Sequence, residues 1–418
     1  MATPAFATAD VVIVGAGSAG CVVAERLSRD PARRVVLLDA GTAAPAPASQ
    51  TRLTRLPIEP GALRVHRYPE ARGRDVVRGR GLGGSSVVNG GYFLRGHRDD
   101  YAAWPWPIEQ IAAQFDAVEQ TMSVSAFADD EVGTVATAFE RYWRDRAAEP
   151  AQLPFPAVGL HRIRSNHRDG RRITAVDGFL KNPRPGRTVL GDIEVFGLAV
   201  AGSRITGVET SAGRVDAGTV ILAAGALGSG ALAVPLLGEL PIHEHAERLV
   251  RFTPRCRVAA PALLQTVLHT ADGLELRCYG DDFAAFIAGV PRTGIAIGVA
   301  DMGVGTQGSL TADALDLGEP DAGSLRRMDA GVDLVREMLD SEEFADLVEP
   351  GSVRVDDAIG MSSHAWGSLP LGGVVDAAGA VDGFTGLHVA DGSVLPAPLR
   401  SGPHASVMAV AGLVAASI

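Results

Sequence analysis

The run Val11-Val12-Ile13-Val14 leads straight into Gly15-Ala16-Gly17-Ser18-Ala19-Gly20, and this junction constrains the chain more than any other part of it. An unbroken apolar run fits a parallel strand covered on both faces. The segment from Cys21 to Arg29 has helical character, and a second apolar run, Val35 to Leu38, delivers Asp39 and Ala40. Asp39 stands nineteen positions beyond Gly20. Strand, G-x-G-x-x-G turn, helix, strand and terminal acid together predict a Rossmann unit. Gly15 permits the tight turn, Gly17 lets a pyrophosphate approach the backbone, and Gly20 allows close helix packing. The free N–H groups at the helix start, around Ser18 and Ala19, face the phosphates, and Asp39 accepts from a ribose. This fingerprint alone does not separate FAD from NAD.

A length of 418 residues suggests two or three domains, and 46% hydrophobic residues supply ample core. With 50 glycines, many after short Val/Ile/Leu runs, the composition favours an α/β protein whose loops approach a ligand closely. The net charge of −11 argues against a nucleic-acid or anionic-membrane surface. The one basic run, His161 to Arg172, contains Asn166, Asp169 and Gly170 and is expected to be a solvated turn. Cys21, Cys256 and Cys278 form no metal or redox spacing and fit a reducing cytoplasm. The N-terminal segment lacks the basic leader of a signal peptide, and the apolar C-terminus reads as a buried helix rather than a spanning one.

Two glycine-rich segments and one histidine-bearing region carry a family likeness. Arg78-Gly79-Arg80-Gly81-Leu82-Gly83-Gly84-Ser85-Ser86-Val87-Val88-Asn89-Gly90-Gly91, followed by Arg95-Gly96-His97-Arg98-Asp99-Asp100-Tyr101, leaves its backbone bare enough to form an anion-holding nest. Val220-Ile221-Leu222-Ala223-Ala224-Gly225 reads as a second strand and turn. Ser362-Ser363-His364-Ala365-Trp366-Gly367 has the form His-x-x-Gly, and Val389-Ala390-Asp391-Gly392 and Ser401-Gly402-Pro403-His404-Ala405-Ser406 follow. Together these segments resemble the glucose-methanol-choline (GMC) oxidoreductases, from Asp10 to the end of the chain.

The resemblance implies FAD as cofactor and oxidation of an alcohol. It assigns the diphosphate and flavin edge to Arg78, Gly83, Gly84, Ser85, Asn89, Gly90 and Gly91. Ala224 and Gly225 fall near the adenosine half, the backbone amide of Val195 at adenine, and Asp391 and Gly392 under the pyrophosphate. His364 takes the role of base, since a neutral imidazole suits removal of the hydroxyl proton. His404 hydrogen-bonds the same oxygen, and the helix starting at Ala405 and Ser406 presents partial positive charge to the flavin ring. Where some members link FAD through a histidine, Val88 stands here, so the flavin is expected to be noncovalent. His243-Glu244-His245-Ala246-Glu247 lacks His-Glu-x-x-His spacing; no metal is expected, and a surface turn matching the family's Asp-His segment is.

Val88 to Phe93, Ala271 to Arg277 and Arg400 to Ala405 further resemble members associated with mycofactocin. That implies a small-molecule alcohol or reduced mycofactocin as substrate and a respiratory electron acceptor, with the protein cytoplasmic or peripheral at the inner membrane face. The expected fold is α/β, α+β overall: a Rossmann-like FAD-binding domain of residues 1–100, 157–239 and 361–418, and an antiparallel-sheet substrate domain of 101–156 and 240–360. Arg326 to Phe344 is expected as a helix with Leu334, Val335, Met338 and Leu339 apolar, and Thr42 to Pro60 as an extended surface connection. An oxygen-using oxidase, a hydroxynitrile-lyase-like relative and a flavin-free binding module stay open as rivals. The intact Gly15, Gly17, Gly20 and Asp39 set speaks against the last.

Overall fold

The computed structural model describes residues 8–148 and 154–418. Thr8–Val14 forms the expected strand inside a seven-stranded mixed sheet. Val35–Leu38 and Gly213–Leu222 flank it in parallel, and Arg187–Leu190 extends the sheet beyond Val35–Leu38. The first half of Gly213–Leu222 folds antiparallel onto Arg204–Thr210, which pairs with Val195–Ala201. Its last residues run parallel to Leu387–Val389. Cover on both faces explains why Val12, Ile13, Leu37 and Ile221 are wholly buried.

Helix Ser18–Leu27 follows the glycine turn, and the C-terminal helix His404–Ala415 packs against it and against Ile108–Thr121. The C-terminal helix is buried without a break from Met408 through Ala415, and an apolar surface all round suits such a core element. No helix among the described residues is long and apolar enough to cross a membrane.

A second seven-stranded sheet is antiparallel throughout. Its centre comprises Ala246–Phe252, Ile295–Asp301, Leu274–Tyr279 and Leu264–His269. Helices Thr134–Trp143 and Ala322–Leu339 cover it, burying Val135, Phe139, Met328, Val332 and Val335 against Val250, Leu276 and Ile297. The Asp321 side chain caps the second helix, accepting from Ser324 N at 2.7 Å. This helix ends at Leu339, before a short turn Glu342–Phe344, and Leu334 is 39% exposed rather than apolar-facing. At 3.6 residues per turn Leu334 lies about 100° from the centre of the buried face.

Packing crosses the expected boundaries. Ile111, Phe115 and Val118 of Ile108–Thr121 join the core of the first sheet, while Thr134–Trp143 belongs to the second. Gly159–Arg162, expected on the FAD-binding side, is an edge strand of the second sheet, paired with Leu264–His269. The basic run is no solvated patch. Arg162 pairs with Glu140 and Asp129, Arg164 with Glu119, and the buried Arg172 donates to the carbonyls of Gln50, Arg55 and Val87. Only its Asp169-Gly170 tip is the expected turn, with both residues at positive φ. The Thr42 to Pro60 connection lacks regular structure but is anchored, because Leu53 and Leu56 are buried beside Ile163 and Phe286.

Candidate active site

The glycine turn is built by close contact. Gly15 sits at φ +100°, where a Cβ would stand 2.6 Å from the Ala223 carbonyl, and a Cβ on Gly20 would overlap the Gly15 carbonyl. A Cβ on Gly17 would meet only Gly84 Cα, at 3.8 Å. Packing therefore demands glycine at the outer two positions and leaves the face of Gly17 free for a ligand. Gly81, Gly83 and Gly84 all have positive φ, and Gly83 N donates to the Ala16 carbonyl at 2.8 Å, laying the second glycine loop on the first.

A cavity of about 910 Å³ opens against this double loop, near the upper end of small-molecule sites of roughly 300–1,000 Å³. Its walls include Gly15, Gly17, Ser18, Ala19, Asp39 and Ala40, then Arg78, Gly84, Ser85, Asn89 and Gly90. Val195, Ala224, Gly225, Asp391 and Gly392 also line it, and it ends at His364 and His404. Gly20, Gly83, Gly91, Ala405 and Ser406 do not reach it. The first three support the loops from behind; Ala405 is buried, and the Ser406 hydroxyl turns inward to Tyr101 Oη at 2.9 Å.

Both acids of the loop region brace backbone. Asp39 accepts from Ala16 N on Oδ2 and from Gly41 N and Gly81 N on Oδ1 at 2.8–2.9 Å, which leaves one acceptor site on Oδ2 for the ribose expected there. Asp391 is buried and accepts from Gly225 N, Ser393 N and the hydroxyls of Ser229 and Ser393. Burial raises the Asp391 carboxyl, and these bonds oppose the shift.

At the far end His404 opens the C-terminal helix, whose N-terminus has no side-chain cap. Asn89 Oδ1 accepts from Gly91 N at 3.0 Å, so its amide nitrogen faces His404 Nδ1 at 3.2 Å. An amide nitrogen only donates, so His404 Nδ1 accepts and the neutral ring carries its proton on Nε2. That Nε2 is buried with no partner among the described residues. Burial holds the His404 pKa down at about 4. His364 Nδ1 lies 3.0 Å from His245 Nδ1, and its Nε2 is 3.5 Å from where a Cβ on Gly402 would stand. Burial, then Arg277 and His245, push His364 well below the usual histidine range.

Glu244 and His245 are not on a surface turn. Both are buried, and the Glu244 carboxylate accepts from the backbone N–H of His245, His364 and Ala365 at 2.9–3.1 Å. The strand Ala246–Phe252, central in the second sheet, carries this segment inward. Glu244, His245 and His364 bring ligand-type atoms within 4.8 Å of one another, but the carboxylate oxygens are already engaged.

Sequence reasoning missed a polar cluster beside His364. Glu275 accepts from Tyr92 Oη at 2.6 Å, His269 Nε2 at 2.9 Å and Arg277 Nε at 2.6 Å. Arg277 also donates to Glu247 and to Ser362 Oγ, and Tyr279 Oη donates to Glu247. Burial alone would raise both carboxyls. Arg277 and the hydrogen bonds overcome it at Glu275, which stays below the carboxylate range, whereas Glu247 remains raised. The available signal was alternation: residues 275, 277 and 279 share one face of a strand.

The cavity fits the FAD expected from sequence. It has room for a large ligand, Gly17 is bare towards it, and Arg78 Nη2 and His404 Nε2 are buried polar atoms of residues on its walls, without hydrogen-bond partners among the described residues. A GMC oxidoreductase family model matches residues 9–234 and its C-terminal counterpart 315–411. An uncharacterized GMC-type oxidoreductase of Rhodococcus erythropolis is 29% identical, with 96% of this chain and 97% of that one covered. The 5-(hydroxymethyl)furfural oxidase of a Methylovorus species is 27% identical over 93% of this chain and 94% of its own. The crystal structure of pyridoxine 4-oxidase from Mesorbium loti has the same fold, with a TM-score of 0.84 and 23% identity over 98% of both chains. With both halves of the family pattern matched along the chain that builds this cavity, the protein belongs to the GMC oxidoreductase family.

Proposed function

We propose that this enzyme oxidises an alcohol to the corresponding carbonyl compound with noncovalently bound FAD, His364 taking the hydroxyl proton and His404 holding the oxygen. The observation that carries this reading is the meeting of His364 and His404 at one end of a cavity whose other end is the double glycine loop. FAD, when bound, supplies the acceptor for the hydride that leaves the carbinol carbon. Gly15, Gly17, Ser18, Ala19 and Ala40 would hold its adenosine diphosphate, with Val195 near the base. Gly84, Ser85, Asn89 and Gly90 would face the flavin side, and Val88 offers no nucleophile for a covalent link.

The protein's part in the reaction is to orient and deprotonate. His404 Nε2–H donates to the substrate oxygen, and the hydroxyl hydrogen then points to His364. As the C–H bond breaks, the O–H bond breaks too and its proton passes to His364 Nε2. Arg78, Arg277 and His404 favour negative charge on the oxygen at that moment. The cluster of Glu247, Glu275, Arg277, Tyr92 and Tyr279 beside His364 favours an alcohol carrying further polar groups over a plain hydrocarbon alcohol.

Reduced mycofactocin or an alcohol linked to it, with electrons passed to a respiratory acceptor, is the finer reading; the residues from Val88 to Phe93 and around Arg400 support it by resemblance. A second reading, an oxygen-using oxidase, is favoured by the oxidase names of the Methylovorus and Mesorbium relatives. Anaerobic mixing of the holoenzyme with an alcohol panel that includes mycofactocinol tests the activity through bleaching of the flavin. His364→Ala should slow that bleaching by about a hundredfold to ten-thousandfold with FAD still bound. An unchanged rate would overturn the assignment of the base. Reoxidation in air compared with a quinone dye separates dehydrogenase from oxidase, and acid precipitation should release all the flavin.

A further inference from the structure

The segment His243-Glu244-His245 has no part in the chemistry described so far, yet it ends against the base. His245 lies in a buried pocket, stacked on Trp366 with ring centroids 4.2 Å apart. Its Nδ1 faces His364 Nδ1 at 3.0 Å, and its Nε2 has no partner among the described residues. Glu244 ties the backbone on both sides of this contact together, since it accepts from the N–H groups of His245, His364 and Ala365. The distance between the rings is therefore held by one buried carboxylate.

Two neutral imidazoles whose Nδ1 atoms face each other share one proton, and which ring carries it decides what His364 offers the cavity. If His245 donates, His364 bears its proton on Nε2 and can only donate to a substrate. If His364 donates, its Nε2 is a lone pair. We propose that His245 is a positioning residue that accepts the His364 Nδ1 proton and thereby keeps His364 Nε2 as the acceptor facing the cavity.

The surroundings favour that arrangement. The wall near His364 already presents a donor, the Nε2–H of His404, which has no hydrogen-bond partner among the described residues, and a cation, Arg78, whose Nη2 makes only an ion-pair contact with Glu244 at 3.8 Å. The Arg277 and Arg78 guanidiniums also act on the His364 ring, and an outward lone pair meets their positive field better than an outward N–H does. The carboxylate of Glu275 that could reverse this preference is engaged by Tyr92, His269 and Arg277. A hydroxyl held by His404 then has an acceptor waiting. The two cavity histidines differ in role because their second nitrogens face different partners: an amide donor at Asn89 and an imidazole acceptor at His245.

This inference rests on the reading of His364 as base but has its own readout. Holoenzyme labelled with ¹⁵N-histidine would be examined by long-range ¹H–¹⁵N correlation, with the ten histidines assigned by single substitution. The expected result is His364 protonated on Nδ1 and His404 on Nε2. His245→Leu should move His364 to the Nε2-protonated form, while His245→Asn, of similar shape but with an amide oxygen where Nδ1 stood, should keep the Nδ1-protonated form. In flavin reduction by an alcohol from the panel, His245→Leu should lower the limiting rate on the order of ten- to a hundredfold with little change in apparent substrate Kd, and His245→Asn should recover most of the loss. Thermal unfolding and FAD content of the two variants separate this from misfolding. Wild-type His364 protonated on Nε2, or a tautomer indifferent to His245→Leu, would overturn the proposal. An unaffected rate in His364→Ala would instead overturn the base assignment, leaving the tautomer measurement intact.

Discussion

The two ends of the cavity are built by different means. At the glycine end the surface is largely backbone, supplied by Gly15, Gly17, Ser18, Ala19, Ala40, Gly79, Gly84 and Gly90, and side chains serve mainly to lock it, as Asp39 does with three N–H groups. At the histidine end the surface is side chains gathered from Tyr92, Glu247, Glu275, Arg277, His364 and His404, which lie far apart in sequence. The first end depends on what is missing at each position, the second on charges that satisfy one another out of water. Substitutions should therefore fail differently at the two ends.

The largest effect is expected in the charged cluster. Glu275→Gln leaves Glu247 as the one carboxylate against the buried Arg277, and puts an amide nitrogen, which only donates, either against Arg277 Nε or against Tyr92 and His269. Breaking a buried pair from one side costs about 3–5 kcal/mol, much of it the charge left behind. Urea unfolding of the variant should show that loss; a loss below about 1 kcal/mol would mean that the cluster is solvated and the contrast between the ends is false.

Next come two glycines that look alike in sequence. Gly20→Ala forces a Cβ into the Gly15 carbonyl, and overpacking of this kind costs about 1–3 kcal/mol in the apoprotein as well as the holoenzyme. Gly17→Ala meets only Gly84 Cα at 3.8 Å, so the apoprotein should keep its Tm while FAD is retained less tightly. Thermal unfolding of apo and holo forms checks both. If Gly17→Ala destabilised the apoprotein as much as Gly20→Ala, the bare face at Gly17 would be a packing requirement instead of a ligand surface.

The same contrast explains what could be read in the chain before its structure. The glycine end was legible because each requirement is local: a turn, a close approach, an acid at a strand end. His364 and His404 were legible through the segments around them. The rest of the histidine end depends on antiparallel pairing across long separations, which places Glu275, Arg277 and Tyr279 beside Ser362 and Tyr92. Glu244 and His245 read as surface because both are polar; their burial is compensated by three backbone N–H groups and a facing imidazole, neither of which the local sequence reveals. Arg172 was misread for the same reason, its guanidinium being used up by carbonyls at Gln50, Arg55 and Val87.

An effect smaller for any one group, but spread over several, should come from acid. Burial is the first cause that lowers His97 and His245 to about 3 and His161 and His404 to about 4. Each stays neutral in the folded state while an unfolded histidine protonates near 6.5. From about pH 6.5 down towards these values the unfolded chain binds more protons, so stability falls as pH falls, by up to about 1.4 kcal/mol per pH unit for each group. Urea unfolding at pH 7 and pH 5 measures the slope, and His97→Gln should reduce it by one group's share. Equal stability at the two pH values would contradict the buried, neutral state of these rings.

The smallest expected effect tests the packing behind the histidine end. Helix Ala322–Leu339 backs the sheet that carries Glu275 and Arg277, and its rotation determines which side chains support those strands. The sequence groups Leu334 with Val335, Met338 and Leu339 as the apolar residues of this helix; the structure turns Val335, Met338 and Leu339 inward with Met328 and Val332 and leaves Leu334 39% exposed. Leu334→Gln should then change stability by no more than about 0.5 kcal/mol, as at an ordinary surface position. Val335→Ala, one residue on and wholly buried, should cost measurably more because it leaves a cavity against Val250 and Ile297. If the two substitutions exchanged their effects, the helix would be rotated from the position described. The strands beneath it would then be supported by a different face, and the placement of Glu275 and Arg277 beside His364 would lose its foundation.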